Sequence, residues 1–305
     1  MPQITEPEIS VGMPVLNGEA TIARAISDLQ AQTFTNFELT ICDNASADRT
    51  VEIANAIAAN DERIKVIAFD ERVNVNASFR RALENARAPY FMFAPADDRW
   101  YPEFMEENLA ALRSDESLTA STGKVAFFLE GRFDRISLGT APLAGTRVEN
   151  LQNYLRDPVE NARLFSLMRR THLRDIFPTG TCPGWDFHMV ARIIAQGGGF
   201  VELPEVLSER DTTPLEAYAR QWDAWTGRSP LRVLPFIWLV MKVLRDRRIP
   251  KNSAILRSLL HLLWISHSNF AALRMPRWHR TLQAWSGFWK IDHWVAAQSD
   301  EGWWR

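Results

Sequence analysis

Residues 90–101 read Tyr-Phe-Met-Phe-Ala-Pro-Ala-Asp-Asp-Arg-Trp-Tyr, and the fold follows from how this stretch is read. Its first four residues form a short apolar run, the pattern of a strand buried on both faces. The run leads directly into two adjacent acids, Asp97 and Asp98, and then into Trp100-Tyr101-Pro102. Open α/β sheets bind ligands beyond the carboxyl ends of their strands, which is where this acid pair falls. Carboxylate oxygens there suit a hard divalent cation, Mg²⁺ or Mn²⁺, which in turn holds phosphate oxygens. They equally suit a plainer role, in which Asp97 or Asp98 caps a helix that begins near Pro102.

Working back toward the N-terminus, strands and helices alternate. Strands are expected over 9–15, 37–42 and 64–69, with helices over 21–31, 50–60 and 77–86. Ile22, Ala25, Ile26 and Leu29 share one face of the first helix, and Val51, Ala54, Ile57 and Ala58 one face of the second. Such alternation means βαβ units, a mainly parallel sheet and right-handed crossovers. The carboxyl ends then gather Pro14 to Glu19, Asp43-Asn44, 72–76 and Asp97-Asp98 along one nucleotide-sized edge. The first strand is followed by Met-Pro-Val-Leu-Asn-Gly (13–18), which is no glycine-rich phosphate loop. That argues against a dinucleotide-dependent dehydrogenase, a P-loop enzyme and a sugar-nucleotide nucleotidyltransferase.

The totals describe an ordinary globular chain, 46% hydrophobic and 24% charged, but its charge is unevenly spread. Residues 221–305 hold 13 Lys and Arg against 5 Asp and Glu, leaving 22 against 32 for residues 1–220. Ten of the twelve tryptophans also lie in that basic tail, which sets it apart from an acidic body. The acidic body argues against nucleic acid as a partner. Cys42 reads as core and Cys182 as a loop residue. Two cysteines without metal-ligand spacing imply neither a disulfide framework nor zinc, so a cytoplasmic setting is expected. The first residues do not resemble a signal peptide, and no apolar run approaches the roughly 20 residues that a bilayer requires.

Four segments carry a resemblance to a known family. They are Ile-Ser-Val-Gly-Met-Pro-Val-Leu-Asn-Gly-Glu (9–19), Gln32-Thr33, Phe-Glu-Leu-Thr-Ile-Cys-Asp-Asn-Ala-Ser-Ala-Asp-Arg-Thr (37–50) and Ala-Asp-Asp (96–98). In order and spacing they resemble glycosyltransferase family 2, over about two thirds of the chain, residues 9–211. The resemblance implies a GT-A fold and inverting sugar transfer from a nucleotide diphosphate-sugar. It implies that Pro14, Leu16, Asn17 and Glu19 line the nucleotide, that Asp43 accepts a hydrogen bond from the base, and that Asn44 lies beside it. Asn76 joins the donor set from the same edge. Asp98, with Asp97, would hold a divalent cation on the diphosphate. Asp186, before a helix over 187–196, matches the family's acid-then-helix motif and would act as general base; the alternative is that it only caps that helix.

Several positions depart from the family pattern. Pro95 stands where a further acid is common, and Asn74 stands where a glycine is, a mild change because Asn tolerates positive φ. Trp185-Asp186 replaces a Glu-Asp pair. No histidine follows the strand at 203–211, so Arg210 would neutralise diphosphate charge instead.

The chain is therefore expected to comprise a catalytic domain over 1–213 (about 9–100 for the donor, 101–213 for the acceptor) and a helical appendage over 214–305. Within the first, a helix over 102–114, a strand over 124–129 and a polar loop over 132–150 are expected. Arg192, on the helix after Asp186, would meet a phosphate or be solvated. The appendage reads as helices over 215–226, 230–246, 252–273 and 277–298, with Leu256, Leu259, Leu260, Leu263 and Trp264 on one apolar face. Its mixture of Trp and basic residues suits the surface of a membrane, on its inner face, or packing on the catalytic domain or a second subunit. The acceptor is expected to be a glycan or lipid-linked glycan in surface polysaccharide or glycolipid assembly. The competing reading is a catalytically degenerate nucleotide-sugar binder or a scaffold.

Overall fold

The computed structural model of the chain describes residues 6–137, 142–156, 158, 162–178, 184–211 and 236–274, with backbone alone for 265–274. Its first half is the expected βαβ alternation. Strands β1 (Ile9–Val15), β2 (Phe37–Asp43), β3 (Ile64–Ala68) and β4 (Tyr90–Phe93) are parallel and ordered β3-β2-β1-β4. The crossovers are α1 (Ile22–Gln30), α2 (Thr50–Ala58) and α3 (Val75–Glu84). Strand order reverses at β1, so the loops after β1, β2 and β4 open at one switch point.

Beyond β4 the sheet becomes mixed. After a two-residue strand, β5 (Arg99–Trp100), and α4 (Phe104–Ser114) comes β6 (Leu118–Leu129), a long strand that contains the expected 124–129. β7 (Arg132–Ile136) folds back on β6, and α5 (Arg147–Arg156) follows. β8 (Leu167–Arg169) is antiparallel to both β4 and β6, while β9 (Gly199–Asp211) is parallel to β6 and antiparallel to β5. α6 (Trp185–Gln196) precedes β9, and α7 (Ile237–Arg245) and α8 (Ser253–Arg274) close the described chain.

Side chains alternate across β4 into two apolar layers. Phe91 and Phe93 face one with Tyr154, Met189 and Ile193, and Met92 faces the other with Ile26, Leu29 and Phe104. Each such side chain, fully buried, contributes about 1.5–3 kcal/mol of transfer free energy. Gly12 permits this packing. A β-carbon there would lie 2.9 Å from Phe91 Cζ and 3.0 Å from Ala82 Cβ, so the backbone of β1 must be bare for α3 to dock. The first layer continues into α7 and α8 through Leu239, Val243, Ile255 and Leu259. Cys42 is core, as expected.

Three expectations need correction. The polar stretch over 132–150 is not one loop: it begins with a strand and ends in a helix. Glu130 (φ 52°) and Gly131 (φ 75°) are both left-handed, which is what a two-residue hairpin turn requires, and β7 follows. The Thr146 N–H donates to Glu149 Oε2 at 2.8 Å and the Glu149 N–H to Thr146 Oγ1 at 3.4 Å, a capping box that starts α5. Asn74 is not a positive-φ residue either: at φ −67° it accepts the Ala77 N–H at 3.0 Å as the N-cap of α3.

The third concerns α8, whose inward face is Ile255, Leu259 and Leu262, whereas Leu256, Leu260 and Trp264 are exposed. Periodicity joined two different stripes because α8 carries apolar residues on both sides. The expected helices over 215–226 and 277–298, and Cys182, lie outside the described residues.

Candidate active site

β1 and β2 end in register, Val15 beside Asp43, so their loops leave the sheet together. The two loops are then tied strand by strand. Asn17, left-handed at φ 52°, donates its N–H to Ser46 Oγ (2.8 Å) and accepts the Ala47 N–H (2.9 Å). The Gly18 N–H donates to Thr50 Oγ1 at 2.7 Å, and the Glu19 N–H to Asp48 Oδ2 at 3.1 Å. Glu19 in turn accepts the Arg49 N–H at 3.0 Å. Pro14 is buried in β1 and Leu16 is half-buried beside this seam. The seam spends polar groups of Asn17 and Glu19 on structure and leaves a shaped wall.

Asp43 lies behind that wall, 2% exposed. One carboxylate oxygen accepts the Ser46 N–H at 3.0 Å, while Oδ1 is buried with no hydrogen-bond partner among the described residues. A buried carboxylate oxygen without a donor costs free energy, of the order of 1–3 kcal/mol or more for a charged group, which a bound N–H would recover. Ala45, between Asp43 and Ser46, is itself left-handed at φ 61°, a conformation that costs a non-glycine residue about 1–2 kcal/mol and bends the loop around the acid. Asn44 is occupied differently. It brackets the main chain of Val73, donating to its C=O and accepting its N–H, both at 2.9 Å. Asn76 is buried and donates to Pro178 O at 3.0 Å, tying α3 to the segment before α6.

The two acids after β4 have opposite environments. Asp97 is exposed at the mouth of the edge, with no side-chain partner among the described residues, whereas Asp98 is buried. The pairing of β5 with β9, Arg99 opposite Glu209 and Trp100 opposite Ser208, brings Arg210 beside Asp98. Arg210 Nε sits 3.1 Å from Asp98 Oδ2, a close charge contact without an aligned hydrogen bond, and its guanidinium lies 4.1 Å above the Phe165 ring. Burial pushes the Asp98 carboxyl up to about 6, Arg210 working against the rise and the Asp97 charge adding to it. Below this pair, Tyr101 donates to Glu209 Oε1 at 2.6 Å and Arg99 reaches Glu209 at 3.1 Å, locking β5 to β9.

Asp186 comes from α6, the helix that precedes β9. The N-cap of α6 is Gly184, left-handed at φ 73°, so Asp186 is the second helical residue rather than the cap. Burial raises the Tyr154 phenol, and the Asp186 charge raises it further; the Tyr154 O–H donates to Phe187 O at 3.3 Å. Trp185 packs edge-on against Phe79 (5.2 Å between centroids), and Phe79 against Phe93 (5.0 Å). This aromatic chain couples the start of α6 to β4, the strand that delivers Asp97 and Asp98. Arg192 does not reach this edge. It is held by Asp246, Phe177 O and Asp175 O behind α6.

A profile of the family described as "Glycosyl transferase family 2" matches residues 10–177, more than half of the chain. The chain belongs to glycosyl transferase family 2. Among named relatives of this family 2 chain, an uncharacterized glycosyltransferase of Haemophilus influenzae is 32% identical over 126 residues, 41% of this chain and 50% of the relative. WfgD of Escherichia coli, a UDP-Glc:alpha-D-GlcNAc-diphosphoundecaprenol beta-1,3-glucosyltransferase, is 30% identical over 104 residues, 34% of this chain and 40% of the relative. The family 2 chain thus spans half or less of the length of such relatives.

Solved structures match more widely. Staphylococcus aureus TarS 1-349 in complex with UDP-GlcNAc has a TM-score of 0.65 at 16% identity, covering 90% of this chain and 77% of that one. The mannosyltransferase PcManGT of Pyrobaculum calidifontis, in complex with GDP-Man and Mn²⁺, has a TM-score of 0.58 at 17% identity, covering 93% and 80%. At such identities the likeness speaks to the fold, a GT-A-type mixed sheet with flanking helices.

The acids of this family 2 chain fit a cation shared with substrate. No cluster of three or more His, Cys, Asp or Glu that could hold a metal occurs among the described residues. Mg²⁺-type ions are commonly held by one or two carboxylates together with substrate phosphates. Asp97 is exposed and open for that role, whereas Asp98 is paired with Arg210. Phe165 and Glu209 support this corner and are not candidates from sequence: Phe165 lies in no motif, and Glu209, inside the 203–211 strand, gains its role only through the pairing of β5 with β9.

Proposed function

We propose that this chain is an inverting glycosyltransferase that moves a sugar from a nucleotide diphosphate-sugar to an acceptor hydroxyl. The observation that carries the reading is the buried, half-satisfied Asp43 on the same sheet edge as Asp97 and Asp98. Asp43 Oδ1 accepts a base N–H, the wall from Pro14 to Glu19 flanks the nucleoside with Asn44 and Asn76 behind it, and the diphosphate points at the Asp97–Asp98–Arg210 corner.

Asp97 and Asp98 would hold a divalent cation, which when bound supplies Lewis-acid stabilisation of the departing diphosphate. Arg210, released from Asp98 when the cation takes that carboxylate, supplies positive charge on the same side. Asp186 takes the proton of the acceptor hydroxyl as that oxygen attacks the anomeric carbon from the face opposite the diphosphate. The new C–O bond forms as the bond to phosphate breaks, so the anomeric configuration inverts. The first turn of α6 presents Asp186 for this role, one residue after Trp185 and beyond the Gly184 N-cap.

The WfgD relative is named for transfer to a diphosphoundecaprenol-linked sugar, and this supports a lipid-linked glycan acceptor, in surface polysaccharide or glycolipid assembly, for this chain also. Such an acceptor favours a peripheral position at a membrane, on its cytoplasmic face. A panel of nucleotide sugars tests the reading, with release of nucleoside diphosphate as the signal in the presence of Mn²⁺ or Mg²⁺. Release from at least one donor is expected. Donor binding without release from any donor, in the presence of acceptor lipids, would favour a catalytically degenerate binder.

A further inference from the structure

α8 violates the pattern of an ordinary amphipathic helix. Its inward stripe, Ile255, Leu259 and Leu262, packs into the core near α5. Its opposite side should be polar, yet Leu256 is 45%, Leu260 66% and Trp264 43% exposed. These three recur every fourth residue, so they line one side of the helix. A helix that is apolar on both sides normally has something on both sides.

The charge of the segment that leads into and includes this stripe is one-sided. Between Phe236 and Trp264 the chain holds Lys242, Arg245, Arg247, Arg248, Lys251 and Arg257 against a single acid, Asp246. That acid is buried and held by His188 (2.9 Å) and Arg192, so it does not offset the surface charge. Arg245, Arg247 and Arg257 are exposed. Exposed Leu and Trp on a helix that also exposes Arg257, preceded by a basic segment with exposed Arg245 and Arg247, match a lipid interface, where apolar groups enter the acyl boundary and cations meet anionic headgroups. No described helix is long and apolar enough to cross a membrane, so the fit is to a helix lying on one.

We infer that the Leu256–Leu260–Trp264 side of α8, with the exposed arginines of this segment, docks onto an anionic lipid surface. The inference deepens the membrane-linked part of the function proposed above. Its test reads binding alone, so it can fail while sugar transfer stands, and the reverse.

The full chain is sedimented with vesicles of phosphatidylcholine alone and of phosphatidylcholine mixed with phosphatidylglycerol. Binding to the mixed vesicles only, weakened by added salt, is the expected result. Leu256→Ser/Leu260→Ser/Trp264→Ser, which alters exposed side chains and keeps the inward stripe, loses about tenfold or more in partitioning. Arg245→Gln and Arg257→Gln each lose about fivefold, the ratio equivalent to ~1 kcal/mol per basic residue near such a surface. Circular dichroism confirms that the variants are folded. Equal sedimentation of wild type and triple variant overturns the inference. So does wild-type self-association that the triple variant lacks, without vesicle binding, because the face would then be an interface between copies.

Discussion

Arg210 closes over Asp98 at the carboxyl edge of the sheet, Nε to Oδ2 at 3.1 Å, with both side chains 11% exposed and the guanidinium stacked on Phe165. The pair joins the loop after β4 to the end of β9. It also makes Asp98 the residue where the stability of the fold and the chemistry of the edge compete, since a carboxylate neutralised by a guanidinium is not free to hold a metal ion.

Removing Arg210 is therefore expected to act in two directions. Arg210→Ala leaves a buried charge unpaired and lowers stability by about 3 kcal/mol in urea unfolding. The double variant Asp98→Asn/Arg210→Gln recovers part of that loss, because neither charge is then stranded. The same Arg210→Ala protein binds Mn²⁺ more tightly than wild type in the absence of nucleotide, measured by the free-ion electron paramagnetic resonance signal. A stability change under about 0.5 kcal/mol, as for a surface pair, would remove the pair from this role.

Asp43→Ala is expected to weaken nucleoside diphosphate binding about tenfold to a hundredfold, the range of a hydrogen bond to a charged group. The fold is kept, since among the described residues the carboxylate accepts a single hydrogen bond, from the Ser46 N–H. Isothermal titration with uridine and guanosine diphosphates measures the loss. Unchanged affinity for whichever nucleotide binds wild type would take Asp43 out of the site.

Stability is expected to fall with acid through His188. Burial, assisted by the Arg192 charge, depresses its pKa from 6.5 to about 4 despite the Asp246 carboxylate; Lys242 acts in the same lowering direction. The unfolded chain then binds a proton that the folded chain refuses between those two values, so unfolding gains as pH drops through the window. The contribution is intact above pH 6.5 and about 2–3 kcal/mol is lost by pH 4. Asp246, held below its ordinary value against burial by the Arg248 N–H and by Arg192, weakens the fold in the same direction at still lower pH. His188→Gln should flatten the melting temperature over pH 4–6.5 relative to wild type; an unaltered slope would assign the acid loss to other groups.

The parallel half of the fold was legible because each strand–helix unit carries its own period and turn residues. Asp43, Asp97 and Asp98 were legible as a group for the same reason, since crossover handedness alone brings strand ends together. What escaped notice depended on pairing at a distance. β5 is two residues long, and only β9 makes it a strand. The opposite fates of Asp97 and Asp98 follow from that pairing and from Arg210 and Phe165, which no local pattern links to them. β7 and α5 do carry local signals, the Glu130-Gly131 turn and the Thr146–Glu149 capping box, which the polar composition of the stretch masks. Asn17, Glu19 and Asn44 looked like ligand residues, but much of their polar capacity is spent in holding loops.

The most direct test of the account is the Asp186→Asn enzyme, assayed with the nucleotide sugar that releases most nucleotide from wild type. The substitution keeps the size of the side chain and removes its basicity. Transfer to acceptor is expected to fall about a hundredfold or more, in line with the contribution of a general base, while donor affinity by titration stays within twofold of wild type. Transfer at an undiminished rate, or a loss of donor binding equal to the loss of rate, would contradict the assignment of Asp186 as the base.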